Sequence, residues 1–436
     1  MRNNKDFFSP TTGTSVVIAN MIGTGVFTIL GYQLLEIQSG FVLLMLWVVG
    51  GFIALCGALS YAELGATLPR SGGEYNFLGK IYHPAAGFIS GWVSSTIGFS
   101  APVALASITF GRYLSSVFPV LSDTLLAIGL IIVLSAVHAT SRRNSGNLQQ
   151  TFTLIKLLLI VLFCLLALTF VKNPTALSFL PAAGDGAIIT SGAFAVALIY
   201  VNYAYTGWNA ATYLSSELEN PQQSLPRILG MGTAIVMVMY VMLNFTFLRV
   251  APADAMAGQV ELGYIAATYV FGEIGAKVMG IVLALLLIST VSAMVLSGPR
   301  VLHVIGEDYP IFKKLGKRNQ HGVPATAIYI QSVLAIIFVV TASFEQILVF
   351  AGFTMGLNSM LAVVGLFVLR RKSPQLERPY KVFAYPIVPL FYVSLMAWTL
   401  VFTFIEKPRV SSMSLVIVLL GYICYLLVTR VQKNQQ

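Results

Sequence analysis

The first apolar segment of the chain contains a stretch that a continuous helix would avoid. Residues 15–27 read SVVIANMIGTGVF, which places Gly23 and Gly25 on either side of Thr24 in the middle of the apolar run. Each glycine disfavours a helix interior by about 1 kcal/mol relative to alanine. A later apolar segment, residues 199–209, reads IYVNYAYTGWN and is interrupted in the same way. Glycine also lets membrane helices pack closely, but two such interruptions favour a pair of broken helices.

The composition around these stretches is that of a membrane protein. Of 436 residues, 57% are hydrophobic and only 10% are charged, whereas a soluble domain carries about 25% charged residues. The three cysteines all lie in apolar runs, which excludes a fold built on disulfides. The apolar runs are also longer than the roughly ten-residue strands of a membrane β-barrel. We therefore predict an all-α integral membrane protein.

Twelve apolar segments are candidate transmembrane helices, and most are near the roughly 20 residues that a bilayer requires. They are 12–36, 41–66, 84–118, 124–140, 147–171, 187–215, 228–250, 274–302, 323–342, 346–369, 385–405 and 411–430. If both termini are cytoplasmic, 19 of the 26 basic residues fall in cytoplasmic segments, among them Arg2, Lys5, Arg142 and Arg143. The positive-inside rule then predicts a multi-pass protein of the cell inner (plasma) membrane with both ends in the cytoplasm. The net charge of +10 is a topology signal and does not indicate a nucleic-acid partner.

An interrupted helix offers a specific binding chemistry. It frees N–H groups at the positive end of the following half-helix and carbonyl groups at the end of the preceding one. Within a bilayer these groups need partners from protein, water or ligand. A zwitterion supplies a carboxylate for the donors and an ammonium group for the acceptors, and residues 15–27 and 199–209 contain no Asp, Glu, Lys or Arg. If spans 1–5 and 6–10 are inverted repeats, the two interruptions correspond and indicate a transporter site.

Several short motifs, taken together in order and spacing, resemble the amino acid–polyamine–organocation (APC) superfamily, especially bacterial permeases of its L-type amino acid transporter-like branch. They are Ile22–Phe27, Leu59–Gly65, Pro69–Tyr75, Tyr203–Asn209, Glu217–Pro221, Leu225–Arg227, Gly298–Arg300 and Arg378–Lys381 with Pro386. The resemblance implies a LeuT-like fold in one membrane domain, 1–436. Two five-helix inverted repeats, about 12–171 and 187–369, would be followed by two peripheral helices at about 385–430. It also implies secondary transport or exchange of amino acids by alternating access.

The same resemblance implies roles for the residues at the two interruptions. Amides around Gly23, Thr24 and Gly25 would bind the substrate carboxylate. Carbonyls near Ile22 and of residues 203–205 would bind its amino group, with Tyr203 closing over the substrate from outside. These last residues are Tyr203, Ala204 and Tyr205.

Thr206 bears on the substrate class. Some relatives that accept cationic amino acids carry Asp at the matching position, and an unpaired cation at the midplane is costly. We therefore predict small neutral amino acids as substrates. A cationic amino acid or polyamine carrier, proton-coupled or exchanging, and a non-transporting nutrient sensor of the same fold are the alternatives.

Lys156 lies about nine residues into span 5, roughly 13 Å from its edge. Burying a lysine there costs about 2.5–3.5 kcal/mol on insertion scales, and a packing role is the simpler alternative. In sodium-independent relatives a lysine of the fifth helix fills the place of sodium. The resemblance thus implies that Lys156 tethers span 1 to span 8, with Ser289 and Ser292 as neighbours or as plain packing hydroxyls. We predict sodium-independent transport.

The loop after span 2 is rich in charged residues. Glu63 and Glu74 flank it, with Arg70 between them. Solvated loop charges are one interpretation, and a gating network with Arg227 or Arg300 is the other.

Other functional classes find no support in the sequence. There is no catalytic set within the spans, no metal-ligand spacing and no phosphate-binding glycine-rich loop, so we predict neither an enzyme nor a protein driven by ATP, and no cofactor. Eukaryotic family members pair with a glycoprotein through a cysteine between spans 3 and 4. Residues 112–124 lack cysteine, which predicts a chain without an obligate glycoprotein subunit.

Overall fold

The computed structural model describes residues 8–140, 145–320 and 323–433. Arg2, Lys5, Arg142 and Arg143, which the topology prediction uses, lie outside the described residues. The described chain is predominantly helical, and its β-structure is an isolated bridge between Phe8 and Leu218. Helices are the expected result, because a helix satisfies its own backbone hydrogen bonds in an apolar environment.

The described part of the first half of the chain forms eight α-helices. Its third predicted span is continuous across a π-helical turn, Ser94–Gly98, between α5 and α6. The helices are α1 (Pro10–Met21), α2 (Gly25–Gln33), α3 (Gly40–Thr67), α4 (Glu74–Ile81), α5 (Pro84–Val93), α6 (Ser100–Val117), α7 (Asp123–Thr140) and α8 (Ser145–Phe170).

The described part of the second half contains eleven α-helices and two 3-10 helices, Ala210–Glu217 after α10 and the short Pro310–Phe312 after α14; below, the 3-10 helix is Ala210–Glu217. The α-helices are α9 (Asp185–Ile189), α10 (Gly192–Ala204), α11 (Pro221–Val250), α12 (Ala253–Met256), α13 (Leu262–Ser297), α14 (Pro299–Asp308), α15 (Lys313–Gly316), α16 (Ala325–Thr341), α17 (Phe344–Lys372), α18 (Ile387–Glu406) and α19 (Pro408–Lys433). A kink at Gly272 divides α13, and the span predicted at 274–302 begins just after this kink.

Ten helical segments of the described chain are long and apolar enough to cross a membrane. The other two predicted spans correspond to shorter apolar helices, α10 with 13 residues and α16 with 17. The all-α membrane class is thus confirmed. The count of twelve spans, the LeuT-like arrangement and the repeat boundaries stay predictions.

Helix packing places the first predicted interruption in the interior. α1 lies against α8 and α11, while α3 packs along α11 and α13 along α6. In contrast, α19 presents large apolar side chains such as Leu419 and Leu427 outward. The break between α1 and α2 is therefore surrounded by protein.

Candidate functional site

The first break separates α1 from α2. Ile22 leaves the helical conformation with ψ of 80°, and the Gly23 N–H folds back to donate to the Met21 carbonyl at 2.8 Å. The next helix begins at Gly25, and Thr24 makes no side-chain cap at its start. The start of α2 is therefore a positive helix end without a side-chain acceptor.

Some helices of the chain begin with a capping side chain, whereas others, such as α4 and α11, lack one as α2 does. Ser9, Ser39, Ser191 and Ser343 each accept a backbone N–H at the start of α1, α3, α10 and α17, respectively. Such caps satisfy one of the N–H groups that a helix start leaves unpaired. The uncapped start of α2 instead lies beside a cavity of about 130 Å³, which Gly23, Thr24 and Gly25 line.

The second break follows α10. Residues 205–209 form turns before the 3-10 helix, and Gly207 has φ of 102°, a conformation that favours glycine. Thr206 holds this turn locally, since its N–H and its hydroxyl both donate to the Tyr203 carbonyl, at 2.9 and 2.6 Å. The second break is thus stabilised by its own residues.

The two breaks touch each other. A Cβ placed on Gly25 would lie 2.7 Å from the Ala204 Cα, and one on Gly207 would lie 2.7 Å from the Asn20 carbonyl oxygen. Both approaches are too close for any side chain, which explains glycine at both positions. The interrupted segments that the sequence pairs are therefore in direct contact.

Lys156 reaches the first break from α8. It is 3% exposed, and its Nζ donates to the Ile22 carbonyl at 3.4 Å and to the Thr290 hydroxyl at 2.8 Å. In the part of the chain that the structure describes, no carboxylate lies within ion-pair distance of Lys156. A buried ammonium group thus links the broken backbone to α13 through neutral oxygen atoms.

The partner of Lys156 on α13 differs from the predicted pair. The Ser289 hydroxyl donates to the Leu286 carbonyl at 2.9 Å, and Ser292 shares a hydrogen bond of 2.7 Å with His138. Successive helical residues are rotated by about 100°, so Ser289, Thr290 and Ser292 cannot all face α8. The structure brings Thr290, rather than either serine, to Lys156.

A tyrosine that the sequence analysis did not single out joins both breaks. The buried Tyr240 of α11 donates its hydroxyl to the Met21 carbonyl and, at 3.1 Å, to the Ala204 carbonyl. These are the last residues of α1 and α10. One hydroxyl proton is shared between two acceptors. Nothing in the sequence distinguishes this tyrosine from a packing residue, because its partners are backbone atoms of distant segments.

The carbonyl groups at the two breaks differ in how many hydrogen bonds they already accept. A carbonyl oxygen has two lone pairs. The Tyr203 carbonyl receives both hydrogen bonds from Thr206, whereas the Ile22 and Ala204 carbonyls receive one side-chain donor each. In this conformation the last two are therefore better placed to accept a further donor than Tyr203.

Most of the predicted substrate-binding residues line one cavity. These are Gly23, Thr24, Gly25, Tyr203, Ala204, Tyr205 and Thr206. Ile22 is not among the lining residues, and its carbonyl faces Lys156.

Glu63 and Glu74 are 1% and 2% exposed, so the interpretation of solvated loop charges is wrong for these two. Arg70, in contrast, is exposed and pairs with Asp308 at 2.9 Å. Glu63 receives two hydrogen bonds from Arg370, at 2.8 and 2.6 Å, and one from the Val382 N–H at 2.7 Å. Arg378 lies 3.6 Å away. Glu63 therefore fastens the end of α3 to the end of α17 and the loop after it.

Glu74 has a different set of partners. Its carboxylate accepts from the Tyr61 hydroxyl at 2.9 Å, from the Asn209 amide at 2.5 Å and from the Tyr213 hydroxyl. Among the described residues these donors are neutral, and Arg300, which lines the same cavity, pairs with Glu217 at 3.6 Å. The predicted network with Arg227 or Arg300 therefore does not include Glu74.

The cavity extends from the breaks toward one face of the protein. We call this the basic face, defined by Arg70, Arg300 and Arg318. The Arg300 side chain is 37% exposed where it lines the cavity. Glu345, which does not line this cavity, accepts from Tyr200 at 2.8 Å and from Lys407 at 3.0 Å.

The sequence is similar to known proteins over most of its length. A sequence model described as amino acid permease matches residues 8–428. The human "Large neutral amino acids transporter small subunit 2" is 29% identical over 94% of this chain and 78% of its own length. The "Serine/threonine exchanger SteT" of Bacillus subtilis (strain 168) is 28% identical over 94% of each chain. The mouse "Asc-type amino acid transporter 1" is 30% identical over 93% of this chain and 78% of its own length.

Proposed function

The chain belongs to the amino acid permease family of the APC superfamily and transports amino acids across a membrane, and we propose that it carries neutral amino acids by binding them at the two helix breaks. It is a multi-pass membrane transporter rather than an enzyme. The observation that carries the proposal is the uncapped start of α2, which lies on the same cavity as the end of α10.

The proposed binding mode uses main-chain groups of both breaks. The substrate carboxylate accepts hydrogen bonds from the first N–H groups of α2, where the helix dipole favours an anion. Its ammonium group donates to the Ala204 carbonyl, which lines the cavity and retains acceptor capacity. This mode binds a dipolar molecule without any charged side chain.

The preference for neutral substrates is supported by Thr206, whose hydroxyl donates to the Tyr203 carbonyl and brings no charge to the second break. The names of two relatives refer to large neutral amino acids and to serine and threonine. A cationic amino acid or polyamine is the second candidate, because Glu74 contributes one carboxylate to the same cavity.

Sodium independence is the proposed consequence of Lys156. Its ammonium group already links the Ile22 carbonyl to Thr290, and a sodium ion beside it would meet a like charge. We expect uptake to be unchanged when sodium is replaced by choline. A collapse of uptake in choline would contradict this part of the proposal.

Counterflow into proteoliposomes tests the function. Vesicles loaded with unlabelled amino acid should accumulate labelled alanine, serine or leucine and exclude arginine and putrescine. Accumulation of arginine or putrescine would overturn the neutral preference. Binding without counterflow would instead identify a nutrient sensor.

The placement of the chain is also a proposal. We infer an inner-membrane (plasma-membrane) protein with both termini in the cytoplasm, so that the basic face is cytoplasmic. We further propose one transport domain with repeats at about 12–171 and 187–369, active without a glycoprotein subunit. Transport by the purified single chain and reporter fusions at each terminus test these points.

A further inference from the structure

We propose that Glu74 is a second contact point for the substrate, which receives its α-ammonium group as the amino acid passes between the helix breaks and the basic face. The inference rests on the proposed function, because it names a position on the route of the same substrate.

Glu74 lies next to the second break. Asn209, the last residue of the turns that follow α10, donates to the Glu74 carboxylate at 2.5 Å. Tyr213 of the following 3-10 helix also donates to it. Glu74 lines the cavity that begins at the two breaks and continues to Arg300. The carboxylate therefore lies beyond the second break, on the side of the basic face.

The described hydrogen-bond partners of Glu74 carry no positive charge. Its described partners are two tyrosine hydroxyls and one amide, which fix the carboxylate but do not neutralise it. Glu63, equally buried, is neutralised by Arg370 and approached by Arg378. A buried charge without a counter-charge is costly, and a cation that enters the cavity relieves this cost.

The residues that line the cavity indicate which kind of cation contacts Glu74. The described residues contain no group of acidic, histidine or cysteine side chains that could hold a metal ion. Glu74 is the one carboxylate among the described residues that line the cavity, and Arg300, the one guanidinium there, already pairs with Glu217 at 3.6 Å. A single carboxylate accommodates one ammonium group, so a zwitterion leaves no further positive charge without a partner, whereas a cationic amino acid does.

A purely structural role is the competing explanation, because Glu74 connects α3, α4 and the 3-10 helix through its hydrogen bonds. Two variants separate the roles. Glu74→Gln keeps the shape and a carbonyl acceptor but removes the charge. Tyr213→Phe keeps the charge and removes one hydrogen bond.

The experiment measures KM for leucine separately from each face in oriented proteoliposomes. Glu74→Gln should raise KM at the basic face by about tenfold, the loss expected for a charge-assisted hydrogen bond. KM at the opposite face should change less than about twofold, and Tyr213→Phe should resemble the unmodified protein. An equal change at both faces, no change at either, or the same sided change in Tyr213→Phe would overturn the proposal.

A second measurement uses the unmodified protein and stays informative if Glu74→Gln does not fold. Isopentylamine, which is leucine without its carboxylate, should inhibit leucine counterflow from the basic face but not from the opposite face. Absence of sided inhibition, or arginine uptake that depends on Glu74, would overturn the assignment. If no amino acid is carried at all, the proposed function fails instead.

Discussion

The two helix breaks lie in contact but are stabilised in different ways. At the first break, Lys156 of α8 holds the Ile22 carbonyl and Tyr240 of α11 holds the Met21 carbonyl. At the second break, Thr206 donates twice to the Tyr203 carbonyl within the same turn. The first break therefore depends on helices that are distant in sequence, whereas the second combines its bonds to Tyr240 and Glu74 with local hydrogen bonds of its own residues.

This difference has a consequence for transport. A break held by other helices responds to their movement, because any shift of α8 or α11 changes the positions of the carbonyl groups at this break. A break held by local hydrogen bonds keeps its shape when its neighbours move. We expect substitutions that act on the first break, or on the contact between the breaks, to reduce transport most.

The contact between the breaks should be the most sensitive position. Gly25→Ala places a Cβ 2.7 Å from Ala204, and such overpacking costs about 1–3 kcal/mol, so we expect counterflow to fall by up to about 100-fold. Gly129→Ala is the matched control, because no atom lies within 4 Å of the added Cβ. A Gly25→Ala protein that transports as well as the control would contradict close contact between the breaks.

Removing the tether on the first break should have the next largest effect. Lys156→Met loses the hydrogen bonds to Ile22 and Thr290, and bonds from charged donors contribute about 1.5–3 kcal/mol each. We expect substrate affinity, measured by thermal-shift titration, to fall by about 30-fold. The control variant Lys277→Met, at an exposed position of α13, should keep normal substrate affinity. Equal losses of affinity in both variants would contradict a specific role of Lys156.

The residue that joins both breaks should have an intermediate effect. Tyr240→Phe keeps the ring, which packs on Tyr205 at 4.9 Å between centroids, and loses a neutral hydrogen bond of about 0.5–1.5 kcal/mol. We expect KM for counterflow to rise by about fivefold. The exposed Tyr269 offers the same substitution as a control. A change no larger than in Tyr269→Phe would show that the bridge contributes nothing.

The local hydrogen bonds of the second break should matter least. Thr206→Val removes the hydroxyl bond but leaves the Thr206 N–H bond to the Tyr203 carbonyl. We expect KM to change by about twofold, near the low end for a neutral hydrogen bond. A loss greater than that of Lys156→Met would reverse the comparison between the two breaks.

The sequence predicted what depends on local composition. Long apolar runs identify the helices, and Gly23, Gly25 and Gly207 mark the breaks because glycine disfavours a helix interior wherever it lies. Lys156 could be singled out because a lysine deep in an apolar segment is costly.

What the sequence could not predict depends on contacts between distant segments. Thr290 and Ser289 are chemically alike and adjacent, so only the rotation of α13 decides which one meets Lys156. Tyr240 binds backbone carbonyls, which every residue possesses. Glu74 looked like a loop charge because its burial arises from tyrosines of α3 and the 3-10 helix.

The central claim is that uncapped main-chain groups of the two breaks bind the amino acid. A structure of the protein with bound leucine tests it most directly. We predict that the carboxylate lies within about 3.2 Å of main-chain nitrogen atoms between Gly23 and Gly25, with the ammonium group at the Ala204 carbonyl. Leucine bound away from these atoms, or a continuous helix through residues 22–24, would contradict it.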